Sequence, residues 1–402
     1  MNFQKLIFAI IFLLTITTCK KEEGISTGEI KADIKTFYSL QNRIAKEFQA
    51  TLSDTITDEY AHSERLLAWI KQQPDVQDAV MQFIYVFDVK HTNGLSGNII
   101  FTPKETDGKL VTRGGFGNSD GKLSLLKSTD DDKIIENKNV LVLVQFGIEF
   151  YEPFSNGFYK NQKHIQTFLD LFEYSDIDFK VTVKVDEGIS VFDDLSDYGI
   201  IILNTHGTTT GLVSGSNIFD NKLITFSDDV EVAELPKNGA SQLRNEELKI
   251  TSNFEYDSET KELTIEYVSY ELTFDYFKKL PVQFDNTILL GNYCFSGIQN
   301  GIMGDILAEK GLKSFYGYGY ENGWSAPVTN DLCWRSEDSI IVNLIAGDTT
   351  GIAHLANNTT KLQDDLKWKE DFLNNPVRRK RYAEQYFIFG PQTLNHYLDK
   401  GY

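Results

Sequence analysis

The 402-residue chain is poor in positive charge, cysteine, methionine, histidine and proline. Lys and Arg number 39 against 58 Asp and Glu, a formal charge of −19. Binding a nucleic-acid backbone needs clustered cations, so no nucleic-acid partner is expected. Three cysteines cannot staple a chain of this length, and none stands in a C-x-x-C pair of the zinc or dithiol type. The six histidines include no H-E-x-x-H, and none of His62, His91, His164, His354 and His396 shows metal-ligand spacing, so neither a metal nor another cofactor is expected. Gly114–Gly117 is glycine-rich but lacks a following Lys-Ser/Thr, which argues against a phosphate loop. What is present is a 41% hydrophobic, 13% aromatic chain, apolar enough for a packed core and long enough for two domains.

Long apolar runs are scarce too. The one at the N-terminus, Leu6–Leu14 after Lys5, is shorter than the ~20 residues of a spanning helix. A basic start, a short apolar stretch and the small residues Thr17-Thr18 describe a secretory signal over 1–18. Ile16-Thr17-Thr18-Cys19 resembles the lipobox of bacterial lipoproteins in its looser Bacteroidota form, and Lys20-Lys21-Glu22-Glu23 resembles the charged export tag of that phylum. That resemblance implies acylation of Cys19, including palmitate-type chains, and a lipid-anchored protein of the outer membrane, exposed at the cell surface if the tag is read. The competing reading is an ordinary cleaved signal with an incidental cysteine.

Residues 19–135 are expected to form a smaller α+β N-terminal domain. Ile30, Ile34, Phe37, Ile44 and Phe48 fall at helical spacing, Leu66, Leu67 and Ile70 form a second stripe before Pro74, and the helical reading runs to about residue 90. Strand text then begins within 81–128, including Asn98–Thr102 and Lys109–Thr112 around Asp107-Gly108. Ser128–Lys133 is a polar break, taken as the domain boundary.

From 136 to 402 the pattern is α/β. Val140–Val144, Phe179–Val183, Ile200–Asn204, Thr287–Gly291 and Lys313–Tyr320 are apolar strand runs. Helical stretches alternate with them around Ile165–Phe172, Val191–Leu195, Phe274–Leu280, Gly304–Lys310 and Ser339–Ala346. Continuous apolar strands alternating with helices predict an open, mostly parallel sheet flanked by helices. Residues 208–272 break the alternation and read as a β-rich insertion.

Two of these strands end in reactive side chains. Ile200–Asn204 runs into Thr205-His206-Gly207, and Thr287–Gly291 runs into Asn292-Tyr293-Cys294. Catalytic groups in open α/β sheets gather at the carboxyl ends of strands. A thiol needs a base or ion-pair partner to act as a nucleophile at neutral pH, and an imidazole is the common one. A glycine beside that base lets substrate approach the backbone, and its N–H can face a developing oxyanion.

An apolar strand ending in His-Gly and a later one ending in x-Cys resemble the signature of the caspase-like cysteine peptidases, the clan of clostripain, gingipains, legumain, separase and CHAT domains. Residues 201–207 and 288–297 carry the two main blocks. Thr273–Leu280, Gly304–Gly317, Gly347–Ala353 and Phe389–Leu394 are similar to neighbouring blocks, so the resemblance spans about 138–400. It implies a caspase-like fold and a cysteine endopeptidase acting on a peptide or protein. Cys294 would be the nucleophile, His206 the general base and acid, and the N–H groups of Gly207 and Cys294 the oxyanion hole. Tyr293 departs from the family's usual Ala, and the interval from His206 to Cys294 is longer than usual. The same resemblance puts Asn292 and Tyr320-Glu321-Asn322 at the substrate pocket. Glu321 has two readings, an exposed surface carboxylate or the partner of a basic substrate side chain.

The rival to an enzyme is a non-catalytic binding or scaffold lipoprotein that keeps the fold and uses 208–272 as its contact surface. Cys333 matches no motif and reads as core. Asp130–Asp132 and Asp228-Asp229 read as solvated loops, with incidental Ca²⁺ sites as the lesser alternative. Arg378–Arg381 reads as a solvated helix face, with contact to anionic lipid head groups as the lesser alternative, and Phe315–Trp324 as pocket lining or sheet core.

Overall fold

The computed structural model describes residues 26–52, 58–103, 136–145, 169–173, 175, 177–208, 210–219, 226, 230–257, 260–293, 302–318, 340–346 and 394–398. Helix α1 (Thr27–Thr51) starts where Ser26 accepts a hydrogen bond from the Glu29 N–H, a Ser-x-x-Glu start that satisfies an otherwise orphan donor. Its buried face carries Ile30, Ile34, Phe37, Ile44 and Phe48. Asp58 caps helix α2 (Glu59–Lys71) through the Ala61 N–H.

Strands β1 (Val76–Phe83), β2 (Val86–His91) and β3 (Ser96–Pro103) follow at once. The helical reading to about residue 90 is therefore too long: the chain becomes strand at Val76. The strands Lys109–Thr112 and the boundary Ser128–Lys133 lie outside the described residues.

The α/β part supplies β4 (Asn139–Val144), β5 (Lys180–Val185), a 3-10 turn (Ile189–Asp197) and β6 (Ile200–Asn204). Residues 208–272 then supply β7 (Gly211–Asn217), helix α3 (Gly239–Arg244), β8 (Leu248–Tyr256) and most of β9 (Leu263–Thr273). The chain continues through α4 (Phe274–Lys279), β10 (Ile288–Asn292), α5 (Ile302–Glu309), β11 (Ser314–Tyr318) and β12 (Leu394–Leu398).

Among the described residues, the strands form two sheets of six. One has the order β12-β11-β10-β6-β4-β5, with every pair parallel except β11 with β12. This is the mostly parallel sheet that the apolar runs predict. Leu141, Leu143, Ile201, Leu203, Leu289 and Phe315 point to one side, packed in one core with Phe192, Phe277 and Leu307. Val140, Val142, Val144, Ile200, Ile202, Ile288, Leu290 and Tyr316 point to the other, with Phe172 and the helical residues Ile340, Ile341 and Leu344. Burial on both faces is why the strands read as unbroken apolar runs rather than alternations.

The other sheet is mixed, in the order β1-β2-β3-β8-β9-β7. Its central pairing is parallel, with Ile99 opposite Ser252 and Phe101 opposite Phe254. The N-terminal strands and the strands of 208–272 thus share one sheet. Helix α1 covers its apolar face, where Phe48 stacks on Phe101 with ring centroids 4.0 Å apart. Gly97 is required where β3 pairs with β8, because a Cβ there would lie 1.8 Å from the Ile250 carbonyl oxygen. Among the described residues, no helix is long and apolar enough to cross a membrane.

Candidate active site

Strands β6 and β10 are adjacent and parallel, and they end in register, with Asn204 opposite Asn292. His206 follows the first strand end by two positions, and Cys294 follows the second by two. Cys294 lies outside the described residues, as do Tyr320, Glu321, Asn322, Cys19 and Cys333; the described chain reaches Tyr293. The side chain of Asn292 is also outside the description, although its backbone pairs with Asn204.

The chain leaving β6 turns sharply into β7. The Val213 N–H donates to the His206 carbonyl at 2.8 Å, and the Thr208 N–H donates to the Gly211 carbonyl at 2.9 Å. The Thr205 hydroxyl donates to the Val213 carbonyl. These bonds flank an antiparallel bridge between Gly207 and Leu212. In such a non-hydrogen-bonded pair, the N–H and C=O of the bridged residues point away from the partner strand. The Gly207 N–H is thus directed off the β7 arm, as an oxyanion donor has to be.

The half-buried His206 imidazole stacks on the Tyr267 ring of β9, with centroids 5.2 Å apart and planes at 21°. Burial pushes its pKa below the ordinary 6.5, against the opposing pull of the Glu266 carboxylate. The neutral imidazole is therefore the dominant form at neutral pH, which is the form a general base needs.

Tyr293 is buried in the same apolar core as Phe315 and Leu307, and burial raises its phenol pKa. Its ring packs back on its own strand, where a Cβ on Gly291 would lie 2.9 Å from Tyr293 Cε1 and 3.1 Å from Phe315 Cε2. The bulky Tyr293 ring is therefore housed in the core, in space left by Gly291.

Three features of the site were not read from the sequence. Tyr267 is one, and the second is Glu271, also on β9, which holds the turn after His206. The third is Gln145, directly after β4, whose backbone N–H donates to the Asn204 carbonyl at 2.9 Å. Its carboxamide is fully buried without a hydrogen-bond partner among the described residues, packed against Gly215 of β7. A run of threonines (Thr205, Thr208, Thr209, Thr210) and a lone Glu within apolar strand text were the available signals. Among the described residues, no three His, Cys, Asp or Glu side chains gather as a metal site would need. No protein-family model matches the sequence, and no curated protein matches it.

Proposed function

We propose that the chain is a cysteine endopeptidase of caspase-like fold, with Cys294 as nucleophile and His206 as general base and acid. The observation that carries this reading is the register of Asn204 with Asn292, the strand-end residues two positions before His206 and two before Cys294 in the chain. The depressed His206 pKa and the outward Gly207 N–H favour it further. An open sheet of five parallel strands, covered by helices on both faces, is the architecture that the resemblance implies.

In this mechanism the neutral His206 imidazole takes the Cys294 thiol proton as the sulfur attacks the scissile carbonyl, and the N–H groups of Gly207 and Cys294 hold the oxyanion. Collapse breaks the C–N bond as the His206 imidazolium protonates the departing amine, leaving a thioester on Cys294. Water then attacks the thioester, giving its proton to His206. The C–S bond then breaks, the departing Cys294 sulfur takes the proton back from His206, and the carboxylic acid leaves with the thiol and neutral imidazole restored.

The substrate is a peptide or protein, bound with the help of Asn292, Tyr320 and Glu321. Glu321 would favour Arg or Lys on the N-terminal side of the scissile bond; equal cleavage of neutral and basic reporter peptides would remove that preference. The Ile16–Cys19 segment supports acylation at Cys19 and a place in the outer membrane.

The test is labelling of the mature protein with a panel of peptidyl acyloxymethyl ketones. Labelling is expected in the wild type and absent in Cys294→Ala. Labelling that survives the substitution would overturn the nucleophile, and none with any peptide would favour the binding-lipoprotein reading.

A further inference from the structure

We infer that Glu271 is a positioning residue for the His206–Gly207 turn, and that through Asn98 it makes the N-terminal strands part of the site's scaffold. The inference rests on the His206–Cys294 reading above.

Glu271 is fully buried near the end of β9. One carboxylate oxygen, Oε1, accepts from the Thr208 hydroxyl at 2.7 Å and the Thr210 hydroxyl at 2.5 Å. The other, Oε2, accepts from the Thr251 hydroxyl at 2.9 Å and from the Asn98 side-chain amide. A buried carboxylate is tolerable only when its lone pairs are used in this way. The neighbouring cation is Lys249, directly across the strand pair. Burial pulls the Lys249 pKa down, but Glu271, Asp88 and Glu246 outweigh it and keep the ammonium charged. Lys249 itself donates to Asp88 on β2 at 2.7 Å.

Both threonines lie within four positions of His206, on the turn that carries it. The turn's far side is also tied by the Phe274 N–H, which donates to the Thr210 carbonyl at 2.9 Å, and by the pairing of Gly211 with Thr273. Hydrogen bonds from hydroxyls to an ionised carboxylate are stronger than neutral ones, so Glu271 fixes where the turn sits. Tyr267, four residues earlier on the same strand, stacks on the imidazole. One strand therefore sets both the depth of the turn and the plane of the ring. Because Asn98 belongs to β3, the N-terminal segment reaches Glu271 directly. It acts as a supporting wall for the site, not as a detachable cover.

The test compares the full mature chain with Thr208→Val plus Thr210→Val, with the matching Ser pair, and with Asn98→Ala. Readouts are the inactivation rate and the apparent affinity for a peptidyl acyloxymethyl ketone, and the His206 titration by NMR, located by its absence in His206→Ala. The Val pair should lose roughly tenfold or more in maximal inactivation rate with little change in affinity, since small misplacements of a catalytic group are costly. Its His206 midpoint should rise toward the ordinary histidine value as water enters. The Ser pair, which keeps both hydroxyls, should restore both readouts, and Asn98→Ala should move them as the Val pair does. Val and Ser pairs that behave alike would overturn the positioning role, and an unchanged Asn98→Ala would overturn the N-terminal share of it. If His206→Ala labels as fast as wild type, the dyad reading falls, while the NMR titration still reports whether Glu271 holds the turn.

Discussion

Asn204 and Asn292 face each other in register at the carboxyl ends of adjacent parallel strands, with one partner two residues before His206 and the other two residues before Cys294. That pairing sets side by side two strand ends that are 88 positions apart in the chain (292 − 204). A crevice outside strand ends is where open α/β sheets place their chemistry.

Tyr267 supplies the ring on which His206 lies. Tyr267→Ala removes that ring and opens the imidazole to water. The His206 midpoint is then expected to rise toward the ordinary histidine value, read by NMR titration. Removing so large a buried aromatic should also cost about 3–5 kcal/mol in denaturant unfolding. Tyr267→Phe keeps the stacked ring and should leave the midpoint in place.

Acid should destabilise the fold through its buried histidines. Burial is the leading cause of the lowered pKa values of His62, His91 and His206. A group whose folded pKa is depressed leaves the folded state binding fewer protons than the unfolded chain. Its stabilising share is complete above the unfolded pKa of about 6.5 and is lost as pH falls through the folded value. His62 is the clearest case, with Nδ1 3.1 Å from the Tyr85 hydroxyl and Nε2 3.0 Å from Thr51 Oγ1. Unfolding free energy measured in denaturant should decline from pH 7 toward pH 5, and His62→Gln should decline less steeply. An equal slope in both would contradict this origin.

Gly291→Ala tests the housing of Tyr293. The added Cβ would press on the Tyr293 and Phe315 rings, neither of which can retreat from the core. A loss of about 1–3 kcal/mol is expected from such overpacking, together with slower labelling of Cys294, three positions on. Gly188→Ala meets nothing within 4 Å and should be nearly silent in both measurements.

The parallel sheet was legible because its strands are covered on both sides. Ile200–Leu203 sends alternate side chains into two different cores, so every position is apolar and the run stands out. The mixed sheet was harder. Val76–Phe83 is an edge strand with Gln77, Asp78 and Val80 exposed, so it has no clean alternation and its sequence reads as the tail of a helical region. The pairing of Ile99 with Ser252 joins segments 153 positions apart (252 − 99), and no local pattern encodes it. His206 is legible because it closely follows an apolar strand run. Glu271 is not legible, because its meaning depends on Thr208, Thr210, Thr251 and Asn98, which only the fold brings together.

Alkylation of Cys294 by iodoacetamide across pH, in wild type and His206→Ala, tests the central claim most directly. Peptide mapping follows Cys294 apart from Cys19 and Cys333. A dyad predicts that wild-type Cys294 reacts well below the ordinary thiol pKa of about 8.5, and that His206→Ala moves the inflection up to it. Superimposable profiles in the two proteins would contradict the dyad.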